Sequence, residues 1–329
     1  MTLSVQPISH STYAPEYIAQ EVACRYAFKE PARVQLLYRG VNDVYVVRDG
    51  NEKIVLRVWR SGTRTMAVIL RELAFLKFLR ERGIPVSTHI PLKTGEDHFI
   101  LGAPEGDRPA VLYTWAPGLK FADVPSVPMG EKIGAKFAEM HLIARDFPTE
   151  DAPDQTAQSL VANLPALLEW VEDRPDDIRD YTRLTENVIA FMPTLLARDL
   201  PRGMCHQDMH ASNVHIAADG SFTFIDFDGC SDGYWLHDVK NFVFGNLFYG
   251  MPNEYGLAFE RGYNTVRPYT ADEKASGELI LMIKAFRLLA GAARASRSRG
   301  RDLLRFKSLD WFAEFIKSRA YSAGLLGGG

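Results

Sequence analysis

The chain has 329 residues, 47% of them hydrophobic, and a formal net charge of -3. That near-neutral balance argues against a nucleic-acid partner, which needs a basic surface, and the length suffices for two cores rather than one. No apolar run approaches the length of a membrane span, and the start Met1-Thr-Leu-Ser-Val-Gln-Pro-Ile8 lacks the basic residues and apolar core of a secretory leader. A cytoplasmic protein without membrane attachment is expected. The cysteines Cys24, Cys205 and Cys230 are odd in number and lack metal-type spacing, which predicts reduced thiols.

Residues 17–26 carry an apolar pattern that fits a short amphipathic helix. Strand-like runs follow over 34–39 and 44–59, the second broken by the hairpin turn Asp49-Gly50-Asn51. An earlier turn, within 38–45, contains Gly40 and Asn42. In 65–81 the residues Ile69, Leu73, Leu76 and Leu79 recur at helical spacing. Gly83-Ile84-Pro85 stops that helix, and strands are expected over 98–101 and 110–115. Trp115-Ala-Pro-Gly118 then breaks the second of these. The remainder reads as helical over 130–145, 158–172, 179–198, 236–249, 254–263 and 272–297. A surface loop is expected at 147–154, and a disordered Leu-Leu-Gly-Gly-Gly tail at the end. Two domains are expected, 1–115 and 116–329.

Between the helices lies Cys205-His-Gln-Asp-Met-His-Ala-Ser-Asn213, followed by Phe224-Ile-Asp-Phe-Asp-Gly229. Asp208 and Asn213 have the Asp-x-x-x-x-Asn spacing of a kinase catalytic loop, and Asp226 stands in an apolar-Asp-Phe setting. Phosphoryl transfer asks the protein for positioning and charge neutralisation. It needs a carboxylate beside the acceptor hydroxyl, here Asp208, and hard oxygen ligands for Mg²⁺, here Asn213 and Asp226. His206, Asp208, His210 and His215 also admit a zinc or manganese reading, but such sites need separated ligands and no second His/Cys cluster follows. His206 is expected to brace the loop instead.

The kinase reading gives meaning to the first half. Arg57, in Leu56-Arg-Val-Trp59, falls where a kinase carries its strand lysine, so it is a candidate to pair ATP phosphates. Glu72, on the following helix, is placed to meet it, and the turn with Gly40 and Asn42 falls where a phosphate-covering hairpin would lie. Backbone groups of 112–114, from Leu112 to Thr114, are candidates for the adenine edge.

Together the two motifs resemble the aminoglycoside phosphotransferase, choline kinase and homoserine kinase group, whose pattern reads His-Gly-Asp-x-His-x-x-Asn and then Ile-Asp-Phe. Within it, the run from Phe224 to Asp238 is most similar to the stress-response kinase and type II homoserine kinase subgroup. The resemblance covers roughly residues 30 to 300. It implies an α+β, bilobal protein-kinase-like fold, with a small N-lobe of antiparallel sheet plus helix and a larger, mostly helical C-lobe. It also implies Asp208 as base, Asn213 and Asp226 as metal ligands, and Asp238 as a structural acid. Gln207 replaces the usual Gly, so the loop must turn without glycine's freedom. Gly229 replaces a frequent second acid, while Asp228 remains as a further candidate contact.

An ATP- and Mg²⁺-dependent phosphotransferase acting on a small-molecule hydroxyl is the expected function, the acceptor being an amino-alcohol, an amino-acid-like compound or an aminoglycoside. The alternatives are a Ser/Thr protein kinase of the stress-response type and a nucleotide-binding pseudokinase scaffold. From Lys284 to Lys307 eight basic residues face the single acid Asp302. This segment reads as a solvated face, or as a site for an acidic acceptor through Arg287, Arg294, Arg297 and Arg299.

Overall fold

Pro15 occupies the first turn of α1 (Pro15–Arg25), where its missing N–H costs no helical bond. Strands β1 (Arg33–Arg39), β2 (Asp43–Asp49) and β3 (Glu52–Val58) follow as an antiparallel meander, in which Gly50 takes the left-handed φ of 59° that the β2–β3 turn requires. Thr65 caps α2 (Met66–Glu81) by accepting from the Val68 N–H. With β4 (Phe99–Ala103) and β5 (Gly106–Thr114) the sheet has the order β1-β2-β3-β5-β4. Its β5 begins four residues before the apolar run, because the polar segment from Gly106 also pairs with β4. The structure, a computed structural model, describes residues 8, 10–149, 156–299, 304 and 306–326.

The chain continues through β6 (Leu119–Lys120), α3 (Val127–Ala144), α4 (Thr156–Trp170), α5 (Pro175–Leu196) and β7 (Arg202–Cys205). A hairpin of β8 (Val214–Ile216) and β9 (Phe222–Phe224) comes next, then β10 (Ser231–Tyr234), which pairs with β7. Helices α6 (Trp235–Phe248), α7 (Asn253–Val266), α8 (Ala271–Arg299) and α9 (Leu309–Ser322) complete it. Two units result: Met1–Leu119 with Val214–Asp228, and Lys120–Asn213 with Gly229–Gly329.

In the first unit, Ile18 and Val22 of α1 join Tyr45, Leu56, Val58, Leu101 and Leu112 of the sheet in one buried cluster. A fully buried Arg108 stitches this unit together. It donates to Asp43 at 2.8 Å, to the Trp59 carbonyl at 2.9 Å and to the Ser11 carbonyl at 2.6 Å, so its charge is paired and its donors are used. The β9 backbone is fixed to the segment after α2, with Phe224 N–H donating to Pro85 O at 2.7 Å and Ser87 N–H to Phe224 O at 3.1 Å.

The second unit is a helical core in which α4, α5, α6, α8 and α9 contribute Leu167, Leu184, Phe244, Phe286 and Phe312. Helix α9 was not expected from periodicity. Its signals are Ser308, which caps it through the Trp311 N–H, and the buried residues Phe312, Phe315, Ile316 and Ala320. The expected disorder of the tail does not extend to Leu325 and Leu326. Both are buried in this core, and Asn187 donates to the Leu325 carbonyl at 2.6 Å. Gly327 to Gly329 lie outside the described residues, as do 150–154 of the expected surface loop.

Helices α3 and α7 approach at backbone distance. A Cβ on Gly134 would stand 1.9 Å from the Phe259 carbonyl oxygen, and one on Gly262 would stand 1.9 Å from that of Glu131. Neither oxygen can rotate away, so Gly134→Ala is expected to force the helices apart and cost about 2 to 3 kcal/mol. Urea unfolding of the full chain measures this, and an unchanged midpoint would contradict the close packing.

Candidate active site

In the first unit, strand β3 and helix α2 present Arg57 and Glu72 to each other. Arg57 Nη1 donates to Glu72 Oε1 at 2.9 Å, while Nη2 donates to Asp226 Oδ1 at 2.8 Å. The Tyr113 hydroxyl donates to the same Glu72 oxygen at 3.2 Å. Burial opposes the Arg57 charge, but Glu72, Tyr113, Asp226 and Asp228 together hold its pKa above the ordinary value. For Glu72, burial outweighs Arg57 and lifts the pKa to about 7, with Asp228 and Asp226 adding to the rise.

The turn at 226–228 alternates. Phe227 is buried, with its ring 6.1 Å from that of Phe75 on α2, and Asp226 and Asp228 flank it. Asp226 has a φ of 66° and a side chain 48% exposed, so backbone strain is accepted to present a carboxylate. Asp228 is used differently. Its Oδ1 accepts from the Trp59 indole at 2.6 Å and lies 3.5 Å from Arg64, while Oδ2 accepts from Asn42 at 3.3 Å. Burial alone would raise its pKa, but Arg57, the Trp59 N–H, Arg64 and Asn42 hold it below the usual carboxylate value. Asp228 thereby clasps the β1–β2 turn, and the same turn is closed by Gly40 N–H to Asn42 O at 3.0 Å and by Arg60 to Gly40 O at 2.6 Å.

The backbone groups of Leu112 and Thr114, expected at the adenine edge, already have partners within the first unit. Ile90 N–H already donates to Leu112 O at 2.8 Å, Thr114 N–H donates to Thr88 O at 2.8 Å, and the Ser87 hydroxyl donates to Thr114 O at 2.6 Å. Each of the two carbonyl oxygens keeps a second lone pair, so a further donor could still be accepted there. Residues 87–90 act as a further partner for β5, which the Pro85 stop signal concealed.

In the second unit, the catalytic-loop motif follows β7 and is held by Asp238 on α6. Oδ2 of Asp238 accepts from the His206 backbone N–H at 2.6 Å, and Oδ1 accepts from that of Gln207 at 2.6 Å. Asn241, one turn further, donates to Gln207 O at 2.8 Å. These bonds hold Gln207 at a φ of 68°. Among the described residues, Gln207 and Asp226 are the non-glycine positions with positive φ. The loop therefore replaces glycine's freedom with bonds from one helix. His206 is buried and accepts from the Asp208 N–H at 3.3 Å, bracing the turn. Its neighbour His215 is in the first unit, against the Ala116 carbonyl at 3.1 Å. Asn213 donates its amide Nδ2 to Asp208 O at 2.9 Å, which fixes the orientation of the amide.

His141 on α3 is a part of this brace that the sequence did not single out. Its Nε2 faces Asp238 Oδ2 at 3.2 Å and its Nδ1 faces the Tyr263 hydroxyl at 2.8 Å. Asp238 is held ionised, its pKa lowered because the His141 and His206 partners outweigh burial, so Nε2 carries the proton and Nδ1 accepts from Tyr263. Burial keeps His141 neutral, its pKa lowered despite Asp238. His141, Cys205 and Asp238 also form the group of metal-ligating types that comes together among the described residues, rather than the histidines of the loop. Metal binding does not suit that trio. Asp238 already serves three donors, and burial raises the Cys205 thiol well above its ordinary pKa, far from the thiolate a metal needs. Cys230 is likewise buried and Cys24 is exposed, and neither forms a disulfide among the described residues. Hard oxygens such as those of Asp226 and Asn213 fit Mg²⁺ better than nitrogen- or sulfur-seeking metals.

A family model described as "Phosphotransferase enzyme family" matches residues 39–295. The chain belongs to that family. It is 30% identical over 278 residues to an uncharacterised protein of Deinococcus radiodurans, covering 82% of this chain and 79% of that one. It is 29% identical over 233 residues to a homoserine kinase of Burkholderia multivorans, covering 65% and 66%. Among solved structures, the amicoumacin kinase hAmiN, in complex with AMP-PNP, Ca²⁺ and Ami, shares the fold with a TM-score of 0.72, 19% identity and 96% coverage of both chains. Membership in that family makes this protein a phosphotransferase. Among the described residues, no helix is long and apolar enough to cross a membrane.

Proposed function

We propose that the protein moves the γ-phosphoryl group of ATP to the hydroxyl of an amino-alcohol or amino-acid-like acceptor, with Asp208 as the base. The observation that carries this reading is that Asp208 is the one exposed residue of the loop 205–213. The Asp208 side chain is 59% exposed, whereas His206 and Met209 are fully buried and Asn213 is 5% exposed. A loop held by Asp238, Asn241 and His206 presents a single acid to solvent, as a general base requires. Arg57, oriented by Glu72, neutralises phosphate charge, and Asp226 and Asn213 would hold Mg²⁺, which when bound supplies further neutralisation of the phosphates. The acceptor class is supported by the homoserine kinase relative rather than by any contact in the site.

Mg²⁺·ATP is expected to raise the melting temperature of the protein. With labelled ATP, label is expected on one of a panel of homoserine, aminopropanol, choline and spectinomycin, and not on casein. No thermal shift would end the nucleotide reading. Label on casein with none on the panel would replace the small-molecule acceptor by a protein one.

A further inference from the structure

Asp208 does not stand alone at its loop. Nζ of Lys284, on α8, is 3.9 Å from Asp208 Oδ1, and Nε2 of His210 is 3.9 Å from Oδ2. Both separations exceed a direct hydrogen bond. Two polar atoms 3.9 Å apart leave a position about 2.8 Å from each, where one oxygen can donate to the carboxylate and accept from the ammonium. Lys284 is rigidly carried, because Met282, Ile283, Ala285 and Phe286 beside it on α8 are all buried in the helical core. Its own side chain is 19% exposed.

We propose that Lys284 is a second catalytic residue, which donates a hydrogen bond to the acceptor hydroxyl oxygen while Asp208 takes that hydroxyl's proton. The proposal rests on the assignment of Asp208 as base. In the step, the acceptor O–H bond breaks and its proton passes to the Asp208 carboxylate. The acceptor oxygen forms the bond to the γ-phosphorus, and the bond from that phosphorus to the bridging oxygen breaks, with ADP leaving on that electron pair. Lys284 keeps its protons throughout. An ammonium fixed at the oxygen where negative charge gathers stabilises the transition state more than the ground state, and does so without reorganisation. This explains why α8 brings a lysine into an apolar setting. Burial lowers the Lys284 pKa, Asp208 and Asp238 oppose that, and Arg287 reinforces it. With His210 on the far oxygen of Asp208, these are, among the described residues, the charged and titratable groups that face it.

Water is the smallest hydroxyl acceptor, so the slow hydrolysis of Mg²⁺·ATP by the full chain, with no other acceptor added, is the probe. Lys284→Met is expected to lower turnover about 100-fold, leaving the melting temperature and the Mg²⁺·ATP thermal shift as in the wild type. Lys284→Arg restores a permanent cation and is expected to recover part of the rate. Its activity should also extend to higher pH than that of the wild type, whose alkaline limb falls below the ordinary lysine range. Turnover of Lys284→Met within threefold of the wild type would overturn the proposal, as would a loss of rate accompanied by a lowered melting temperature, which marks a structural role. An unmoved alkaline limb in Lys284→Arg would overturn it too. If the wild type itself neither hydrolyses nor binds Mg²⁺·ATP, the phosphotransferase reading fails first and takes this inference with it.

Discussion

Asp208→Asn is expected to reduce transfer roughly a thousandfold, about 4 kcal/mol of barrier, while leaving the fold and nucleotide binding intact. The amide is nearly isosteric with the carboxylate but cannot take the acceptor's proton, so the loss falls on the chemical step. Three contacts argue that the loop survives. Asn213 holds the Asp208 carbonyl and His206 accepts from its N–H, both through the backbone, and Asp238 ties the two preceding residues. The Asp208 side chain is more than half exposed, and its neighbours Lys284 and His210 lie beyond direct hydrogen-bond distance at 3.9 Å, so removing its charge should alter stability by less than about 1 kcal/mol. Steady-state transfer, the Mg²⁺·ATP thermal shift and the melting temperature, measured on one preparation, separate these effects. Wild-type turnover in the variant would remove Asp208 from the chemistry. Loss of the thermal shift would move its role to the nucleotide.

The parts of the protein that sequence made legible are those in which the chemistry is local. The Asp-x-x-x-x-Asn spacing lies within a single turn, the Asp49-Gly50-Asn51 turn sets its own hairpin, and Ile69, Leu73, Leu76 and Leu79 mark one helix face. Arg57 and Glu72 are 15 residues apart and meet because a strand and the next helix pack directly, so that contact was also within reach. What escaped depends on distant partners. His141 is an unremarkable histidine in an amphipathic helix until Asp238, 97 residues away, faces it. Arg108 stands just before the expected strand 110–115 and carried no signal, yet it is fully buried because Asp43 and two carbonyls pair with it. The partners of Leu112 and Thr114 were hidden because the irregular segment 87–90, which binds them, has no strand pattern. Lys284 was visible only as the first residue of a basic stretch. The side chains of Arg297 and Arg299 in that stretch lie outside the described residues, and Arg294 is exposed with a weak contact to Asn163 at 3.5 Å, so Lys284 is set apart by its distance to Asp208.

Asp238→Asn tests the brace itself and is expected to damage both stability and activity. Asp238 serves the His206 and Gln207 N–H groups and His141 Nε2, all donors. An amide keeps one acceptor oxygen and turns an NH₂ toward at least one of those donors, which leaves at least one buried N–H group unpaired. Removing one partner from a buried charged network of this kind costs about 3 to 5 kcal/mol. Gln207 would then lose the bond that offsets its positive φ, so the loop should relax and transfer should fall even at temperatures where the variant is folded. The pH dependence carries a further signature. The folded-state pKa of Asp238 is depressed below 3.8, so its contribution is present above that pH and is lost as acid protonates it. The folded-state pKa of His141 is depressed below 6.5, so the folded state resists a proton that the unfolded chain accepts, and stability declines as pH falls below about 6.5. In Asp238→Asn the acid loss below pH 3.8 due to Asp238 disappears. The loss beginning near pH 6.5 deepens, because the charge that favoured protonated His141 has gone. Melting temperatures of wild type and variant from about pH 2 to 8 read both effects. Parallel curves for the two proteins would show that Asp238 and His141 are not coupled, and the brace would then have to be sought in Asn241 and the Gln207 side chain.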